Sequence, residues 1–410
     1  MVQNVEKFLN VSEADLKGEA EAFEGETVQD VLNFGSPGLN FNQNGGHGTF
    51  SGIQLRGLPK RYSTVYIDGI KMSDPSTISN DYYFDDILKS QISRVEILRG
   101  NQSSIYGSGA MGGTINITTK RGKPGFQKTL SYNTASHQTH DLVFSVSGAD
   151  ENDDFYIGLE RFETEGISAM TDNEESDGYT NGTLVTNYGR NISDSLRFEA
   201  HYRLADSFLN YDSEDSSTSN NNDDNNIGHT TESAGNFGLT YKLNNQFTNQ
   251  IKFASLYTKR SYDEHDVWSN VLKEDQWRGY RNAIYYSGIY NINLDNSLTF
   301  GAEKEFDEMD YEKFGKDYNR DASTISKFFD LQSRITNNLY ATVGLRFDEH
   351  SRSGTEDSHR ASLAYLFDDK LTKFKASYGT SFRYPSLYEQ YTAYKDGDPT
   401  LAAEEGTSFD

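Results

Sequence analysis

The sequence predicts two unlike parts: a compact α+β domain of about a hundred residues, followed by an antiparallel β structure that must close into a barrel if it spans a membrane. Three observations predict this. The first part carries short apolar runs, each ending at a glycine or a polar turn. Beyond Gly125 the chain alternates apolar and polar residues to its end. No stretch approaches the roughly 18 consecutive apolar residues of a membrane-spanning helix, so any crossing must be made by strands.

In the first part, residues 64–67, 94–98 and 114–118 are β-branched runs bounded by turn residues and are expected to be strands. Residues 26–32 and 85–89 are expected to be short helices. The domain is expected to occupy residues 26–122, with residues 1–25 a remnant ahead of it and residues 126–410 forming the β structure. Period-two alternation is clearest where Leu196, Phe198, Ala200, Tyr202 and Leu204 face away from Arg197, Glu199, His201 and Arg203. Ala341, Val343, Leu345 and Phe347 repeat it, and so do Phe374, Ala376, Tyr378 and Phe382. Shorter stretches do the same at Leu142 to Val146, Ile251 to Phe253, Tyr286 to Leu294 and Ala361 to Phe367. A soluble sandwich with its apolar face inward shows this rhythm too. The charged polar face and the long run without a helix favour a transmembrane barrel, apolar toward lipid and polar toward the lumen. Residues 212–231 are expected to be an outer loop, and Asn337-Asn338 and Asp368-Asp369 short turns at the opposite end.

Composition narrows the function. With no cysteine there is no disulfide, thiolate metal site or cysteine nucleophile. A net charge of −24, from 62 acidic and 38 basic residues, argues against a nucleic-acid partner. The 27 Tyr and 25 Phe suit membrane interfaces, where one end of a ring is dry and the other wet, although large soluble β proteins share this richness. Met1 to Asn10 shows no signal peptide. An exported barrel needs one, so the N-terminus is expected to be trimmed.

The decisive motifs are Val95-Glu96-Ile97-Leu98-Arg99-Gly100, Ser103-Ser104-Ile105-Tyr106-Gly107 and Gly112-Gly113-Thr114-Ile115-Asn116-Ile117. Upstream stand Ile53-Gln54-Leu55-Arg56-Gly57 and Val65-Tyr66-Ile67-Asp68-Gly69. Near the C-terminus, Ser381-Phe382-Arg383-Tyr384-Pro385-Ser386-Leu387-Tyr388-Glu389 precedes Asp398-Pro399. In this order they resemble the plug and barrel signatures of TonB-dependent outer-membrane receptors, from about Glu26 to the last residue. On that resemblance Arg56, Gly57, Asp68, Gly69, Arg99, Gly100, Tyr106, Gly107, Gly112, Gly113 and Asn116 are structural plug positions. Gly107 to Gly112 also satisfies G-x-G-x-x-G. A dinucleotide fingerprint needs a helix after it and an acidic residue about twenty positions on. Here a β-branched strand follows, and no Asp or Glu lies between Thr114 and His140.

The resemblance implies a transport cycle rather than a reaction, in the outer membrane of a Gram-negative bacterium. The ligand, an iron-siderophore or a cobalamin-like corrinoid, would bind between plug apices and outer loops. The TonB energy-transducing complex would then pull the plug. The box that engages that complex is not found before Glu26. Family barrels have twenty-two strands and this chain suffices for thirteen or fourteen, so a fragment is expected. In the cobalamin branch, ligand-contacting positions fall on Phe50, Gly52, Pro59, Thr77 and Ile78, though these side chains depart from that branch's pattern. The same branch binds calcium in early outer loops. Asn173, Glu175 and Asp177 resemble one such loop, and Tyr211 and Asp212, with Asp223 or Asp224, the other. Calcium takes six to eight oxygens. The alternative is a solvated acidic loop, with Ser216 to Asn226 of disorder-prone composition. His265, in Asp263-Glu264-His265-Asp266, is expected at a charged loop tip. The competing functions are a receptor that binds or signals without transport and a soluble β-rich adhesin. An enzyme is the least supported.

Overall fold

The computed structural model describes residues 38–168, 176–212, 226–266, 271–313, 316–367, 372–391 and 397–410. The expected helix at residues 26–32 and the turn at Asp368-Asp369 lie outside these.

The first domain is built on β-branched runs that pair. Strands β1 (Leu39–Gln43) and β2 (Ser51–Leu55) form an antiparallel hairpin. A second sheet has the order β4-β3-β6-β5, from β3 (Ser63–Ile67), β4 (Ile70–Lys71), β5 (Ile92–Arg99) and β6 (Gly113–Thr119). β3 and β6 run parallel, so the chain must cross over between them; β5 and helix α1 (Ser103–Tyr106) occupy that crossover. Ile53, Leu55, Val65, Ile67, Ile115 and Ile117 close the core between the two sheets. The β3–β4 turn places Asp68 and Gly69 both at positive φ, 49° and 75°. Asp68 tolerates this conformation because its carboxylate is tied to β6, accepting from the Thr119 amide at 3.1 Å and its hydroxyl at 2.6 Å.

Residues 85–89 are not a helix. They form a turn at Asp85-Asp86, an extended stretch and a 3-10 turn at Lys89–Gln91. Consecutive Ile87 and Leu88 are buried in different clusters, Ile87 in the core of the domain and Leu88 against Phe162 and Tyr179, as the alternating directions of an extended stretch allow.

The remainder is one fourteen-stranded antiparallel sheet in strict chain order. Its strands are β7 (Gly125–Ala135), β8 (Thr139–Ala149), β9 (Asp153–Thr164), β10 (Tyr179–Ser193), β11 (Leu196–Tyr211), β12 (Asn226–Lys242) and β13 (Phe247–Asp266). They continue as β14 (Val271–Asn291), β15 (Asn296–Lys313), β16 (Lys316–Arg334), β17 (Leu339–His350), β18 (Gly354–Leu366), β19 (Lys373–Arg383) and β20 (Glu404–Phe409). Connections at one end are tight, as at residues 194–195 and 335–338. The other end carries the long ones, including residues 165–178 and 212–225.

The sheet is inverted relative to a soluble sandwich. On β17, Thr342, Arg346 and Asp348 are buried, while Val343, Leu345 and Phe347 are 48%, 43% and 53% exposed. β11 repeats this, with His201, Arg203 and Ser207 buried and Tyr202 and Phe208 exposed. Polar side chains thus face the first domain and apolar ones face outward, as lipid requires. No described helix is long and apolar enough to cross a membrane.

Three boundaries differ from expectation. Ile292 and Leu294 lie beyond the end of β14 in a tight turn, Leu294 almost fully exposed. Residues 226–231 belong to β12, and residues 263–266 to the end of β13 rather than a loop tip. At β12 and β13 the outer ends extend past the apolar belt, so polarity alone places them too early, whereas at the inner end of β14 the apolar alternation runs on into the turn after pairing stops.

Candidate ligand site at the plug apex

Inward-facing barrel side chains grip the domain by its backbone. Arg203 of β11 donates to the Asp86 carbonyl at 2.6 Å, Arg281 of β14 to the Ser73 carbonyl at 2.7 Å and Arg346 of β17 to the Ile105 carbonyl at 2.9 Å. Each also holds a barrel carboxylate: Glu232, Asp307 and Glu303 respectively. Arg360 donates to the Gln102 side chain at 2.8 Å, and Asn236 to the Asp68 carbonyl at 2.9 Å. For Arg203, Arg281 and Arg346 the charge is shared between acid and carbonyl, so none of these three buried guanidinium groups is left uncompensated.

Gly107 shows why the plug motif needs a glycine. It ends α1 at φ 75°, and a Cβ there would meet the Arg346 guanidinium at 2.8 Å. The G-x-G-x-x-G run leads into β6, a strand, which accords with a structural rather than a phosphate-binding role. Asn116 donates to the Tyr106 hydroxyl at 3.4 Å, and Arg56 pairs with Asp410. Gly57, Gly100, Gly112 and Gly113 sit in turns or at the start of β6, and Arg99 ends β5.

Burial raises the carboxyls of Asp85 and Asp86, which also repel each other. Hydrogen bonds from Ser51 to Asp85 and from Tyr179 to Asp86, with nearby Lys60 and Arg203, oppose the rise. The folded pair therefore keeps its protons to higher pH than the unfolded chain. The stability it contributes is present below the ordinary carboxylate pKa and is lost as pH rises through the folded value. Asp85→Asn is expected to flatten the pH dependence of plug protease resistance from the carboxylate range toward neutrality. An unchanged profile would assign that dependence elsewhere.

At the end with the long connections, the domain presents an apex. Phe50 and Ile78 are 46% and 60% exposed, and Pro59 is exposed beside them. Phe50 packs edge-on to Tyr83 at 4.7 Å. The Lys60 ammonium lies 3.5 Å from the Phe50 ring centre and 4.0 Å from that of Tyr83, paired with Asp81 at 3.1 Å. Burial lowers the pKa of Lys60, Asp81 opposing. Its stem crosses Gly52, where a Cβ would meet it at 2.9 Å. Thr77 does not join this surface. It is buried, its hydroxyl donating to the Asp74 carbonyl at 2.9 Å and accepting from the Asp81 amide at 2.9 Å, so it shapes the apex loop.

Facing the apex is a wall of rings that the sequence reading missed. Tyr262 of β13, Trp277 of β14 and Tyr311 of β15 contact one another in turn at 5.5 and 5.1 Å. Tyr388 of helix α2 (Leu387–Tyr391) reaches Tyr311 at 6.0 Å. Arg260 links wall to apex, 5.1 Å from the Tyr83 ring centre and 3.3 Å from Asp74. Strand parity carried the signal: Trp277 shares the inward parity of Arg281, and Tyr311 that of Glu303 and Asp307. Lower down, between domain and wall, Lys71, Arg281, Glu305 and Asp348 line a polar cleft of about 40 Å³, room for a water or two.

Of the residues read as calcium ligands, Asn173, Glu175, Asp223 and Asp224 lie outside the described residues. Asp177, Tyr211 and Asp212 are neighbours at the outer ends of β10 and β11, joined by the Asn210 amide donating to the Gly178 carbonyl at 2.8 Å. Asp177 is buried, and Asp212 accepts from the Ser168 hydroxyl at 3.3 Å. Among the described residues no three acidic or histidine side chains cluster as a metal site.

A polar-lined antiparallel barrel wall gripping an inserted α+β domain defines a plugged membrane receptor. The family model described as "TonB-dependent Receptor Plug Domain" matches residues 16–114, and "TonB dependent receptor-like, beta-barrel" matches residues 131–410. The chain belongs to the TonB-dependent receptor family, whose barrels lie in the outer membrane. The vitamin B12 transporter BtuB of Photobacterium profundum is 23% identical over 397 residues, covering 96% of this chain and 62% of the relative. BtuB of Vibrio cholerae serotype O1 is 24% identical, covering 86% and 56%. The chain thus spans less than two-thirds of the length of these curated relatives. In fold it matches the siderophore receptor PirA of Acinetobacter baumannii, with TM-score 0.76, 17% identity and coverage of 99% and 68%. The ferric enterobactin receptor PfeA of Pseudomonas aeruginosa gives 0.78, 16%, 98% and 68%.

Proposed function

We propose that this chain serves energised uptake of a scarce nutrient, an iron-siderophore or a corrinoid, across the outer membrane, with the TonB complex as its partner and transport rather than catalysis as its work. The observation that carries this is the apex: exposed Phe50 and Ile78 with Tyr83, linked through Arg260 to the rings of Tyr262 and Trp277, which Tyr311 backs from a buried position, above a plug held by hydrogen bonds. Aromatic surfaces bind large, flat or chelated ligands through contact area, and the polar cleft of about 40 Å³ below is far too small for such a cargo. The names of the relatives support both cargo classes.

In a receptor-null host, expression of the gene is expected to restore growth on either a ferric siderophore or cobalamin as limiting nutrient. Rescue by neither sinks both cargoes. Tyr83→Ala, which removes an apex ring and its contact with Lys60, is expected to weaken binding of the rescuing ligand by about tenfold, ~1.4 kcal/mol, measured by titration of the purified receptor.

We also propose that calcium orders the outer loops around Asp177 and Asp212. Ligand affinity is expected to rise with added calcium in the wild type and to be insensitive in Asp177→Ala and Asp212→Ala. An equal response in all three proteins would remove the proposal.

A further inference from the structure

The apex loop, residues 73–81, is held by the barrel with unequal strength along its length. Arg281 of β14 closes its base, donating to the Ser73 carbonyl at 2.7 Å and to the Asn80 side-chain oxygen at 3.3 Å while it pairs with Asp307. Asn80 takes a positive φ of 53°, which turns the loop back toward that base. Arg260 of β13 holds one arm, 3.3 Å from Asp74 and donating to the Ser76 hydroxyl at 3.1 Å. At the tip stands Ile78, 60% exposed. Its carbonyl accepts a hydrogen bond from the Ser386 hydroxyl at 2.5 Å, and among the described residues this is the barrel's one hydrogen bond to the tip.

Ser386 belongs to the connection between β19 and β20, which also fastens a second plug turn. The Phe382 carbonyl accepts from the Gly109 amide at 3.0 Å, and the Tyr384 amide donates to the Ser108 hydroxyl at 2.9 Å. From the barrel side, the start of α2 is fixed several times over. The Ser386 amide donates to the Glu389 carboxylate at 2.8 Å, and the Glu389 amide donates back to the Ser386 hydroxyl at 3.0 Å, a reciprocal cap. Arg383 grips both Glu389 oxygens, at 3.0 and 2.9 Å, and Glu404 at 2.8 Å. Leu387 is buried with Met309, Tyr311 and Ala322. The Ser386 hydroxyl therefore stands at a set place, its acceptor side used by the helix and its proton given to the plug.

Hydrogen bonds to charged groups are roughly twice as strong as neutral ones. Arginines hold the base and arm of the loop, and a neutral hydroxyl holds the tip, so the tip is the part that can move while the base stays seated. We propose that Ser386 is a positioning residue for ligand capture: its hydroxyl holds the Ile78 carbonyl so that the Ile78 side chain is presented to the mouth. Tyr388, two residues further on and 6.0 Å from Tyr311, ties the same helix to the ring wall, so wall and tip are set by one element. The proposal rests on the uptake reading, because it assigns Ile78 to the ligand.

The test uses the full chain purified in detergent. The chain has no cysteine, so Ile78→Cys takes a nitroxide at one place and keeps the backbone carbonyl that Ser386 holds. Ser386→Gly removes the donor while glycine retains most of the capping preference, and Ser386→Thr keeps both. Without ligand, the label is expected to be ordered in the wild-type background and with Ser386→Thr, and mobile with Ser386→Gly. The same label at Pro59→Cys, on a neighbouring apex turn, stays unchanged throughout. If the freed tip holds the presenting pose about a fifth of the time, apparent affinity falls about fivefold. Titration of the unlabelled proteins with ferric enterobactin and with cyanocobalamin is expected to show that loss in Ser386→Gly for whichever compound binds, and wild-type affinity in Ser386→Thr. A tip label indifferent to Ser386→Gly, equal loosening at both label sites, a threonine variant as mobile as the glycine one, or a mobile tip with unchanged affinity each overturns the positioning role and leaves the uptake reading standing. Binding of neither compound to the wild type overturns the cargo reading and the role with it, whatever the label shows.

Discussion

Leu345→Arg is expected to block assembly of the barrel in the membrane or to destabilise it by ~2–4 kcal/mol, the cost of an arginine near mid-depth on a lipid-facing strand. Leu345 is 43% exposed, so on a soluble protein the same change would be close to neutral. Its chain neighbour Arg346 already carries that charge and is buried at 4% side-chain exposure. One step along β17 reverses which side chain is acceptable, because successive residues of a strand face opposite media. The measurement is heat-modifiable mobility and urea stability of the variant in bilayers beside Val343→Arg and the wild type. Wild-type stability of Leu345→Arg would mean that this face does not meet lipid.

Arg346→Ala is expected to cost about 3–5 kcal/mol and to loosen the plug. Truncating one partner of a buried ion pair leaves the other charges uncompensated. Here Glu303, at 2.7 Å, and Asp348, at 2.9 Å, lose their common cation, and the Ile105 carbonyl of α1 loses its donor at 2.9 Å. The effect has two readouts: a lower urea midpoint for the whole protein, and faster protease cleavage within the plug while the barrel stays intact. The double change Arg346→Leu with Glu303→Leu removes both charges together and is expected to recover part of the stability but not the protease resistance, since the Ile105 carbonyl stays unpaired. Identical protease resistance in wild type and Arg346→Ala would show that the plug is not held at this point.

Much of this architecture was legible because period-two alternation and β-branched runs are local properties. Val343, Leu345 and Phe347 announced a strand with one apolar face, and residues 114–118 announced β6, without reference to any contact. Residues 85–89 failed as a helix for the converse reason. Their composition is compatible with a turn of helix, but Ile87 and Leu88 are both drawn into the interior by neighbours far away in sequence. The outer ends of β12 and β13 were misplaced because pairing between strands continues past the apolar belt, where side-chain polarity no longer marks it; the inner end of β14 was misplaced for the reverse reason, since Ile292 and Leu294 carry the alternation into the turn after pairing has stopped.

The candidate mouth divides the same way. Phe50, Pro59 and Ile78, positions that the family resemblance implied, are exposed at the apex, whereas Thr77 is turned inward by hydrogen bonds to Asp74 and Asp81 that no spacing reveals. Tyr262, Trp277 and Tyr311 lie on three strands and become one wall only when the register aligns them. By itself the sequence determined the strand pattern, the plug motifs and the polar and apolar faces, since each follows from residues within a few positions of one another. Only the tertiary structure decided which face meets the plug, which arginine holds which carbonyl and which rings share the mouth, because these depend on contacts between residues far apart in the chain, as between Arg281 and Ser73.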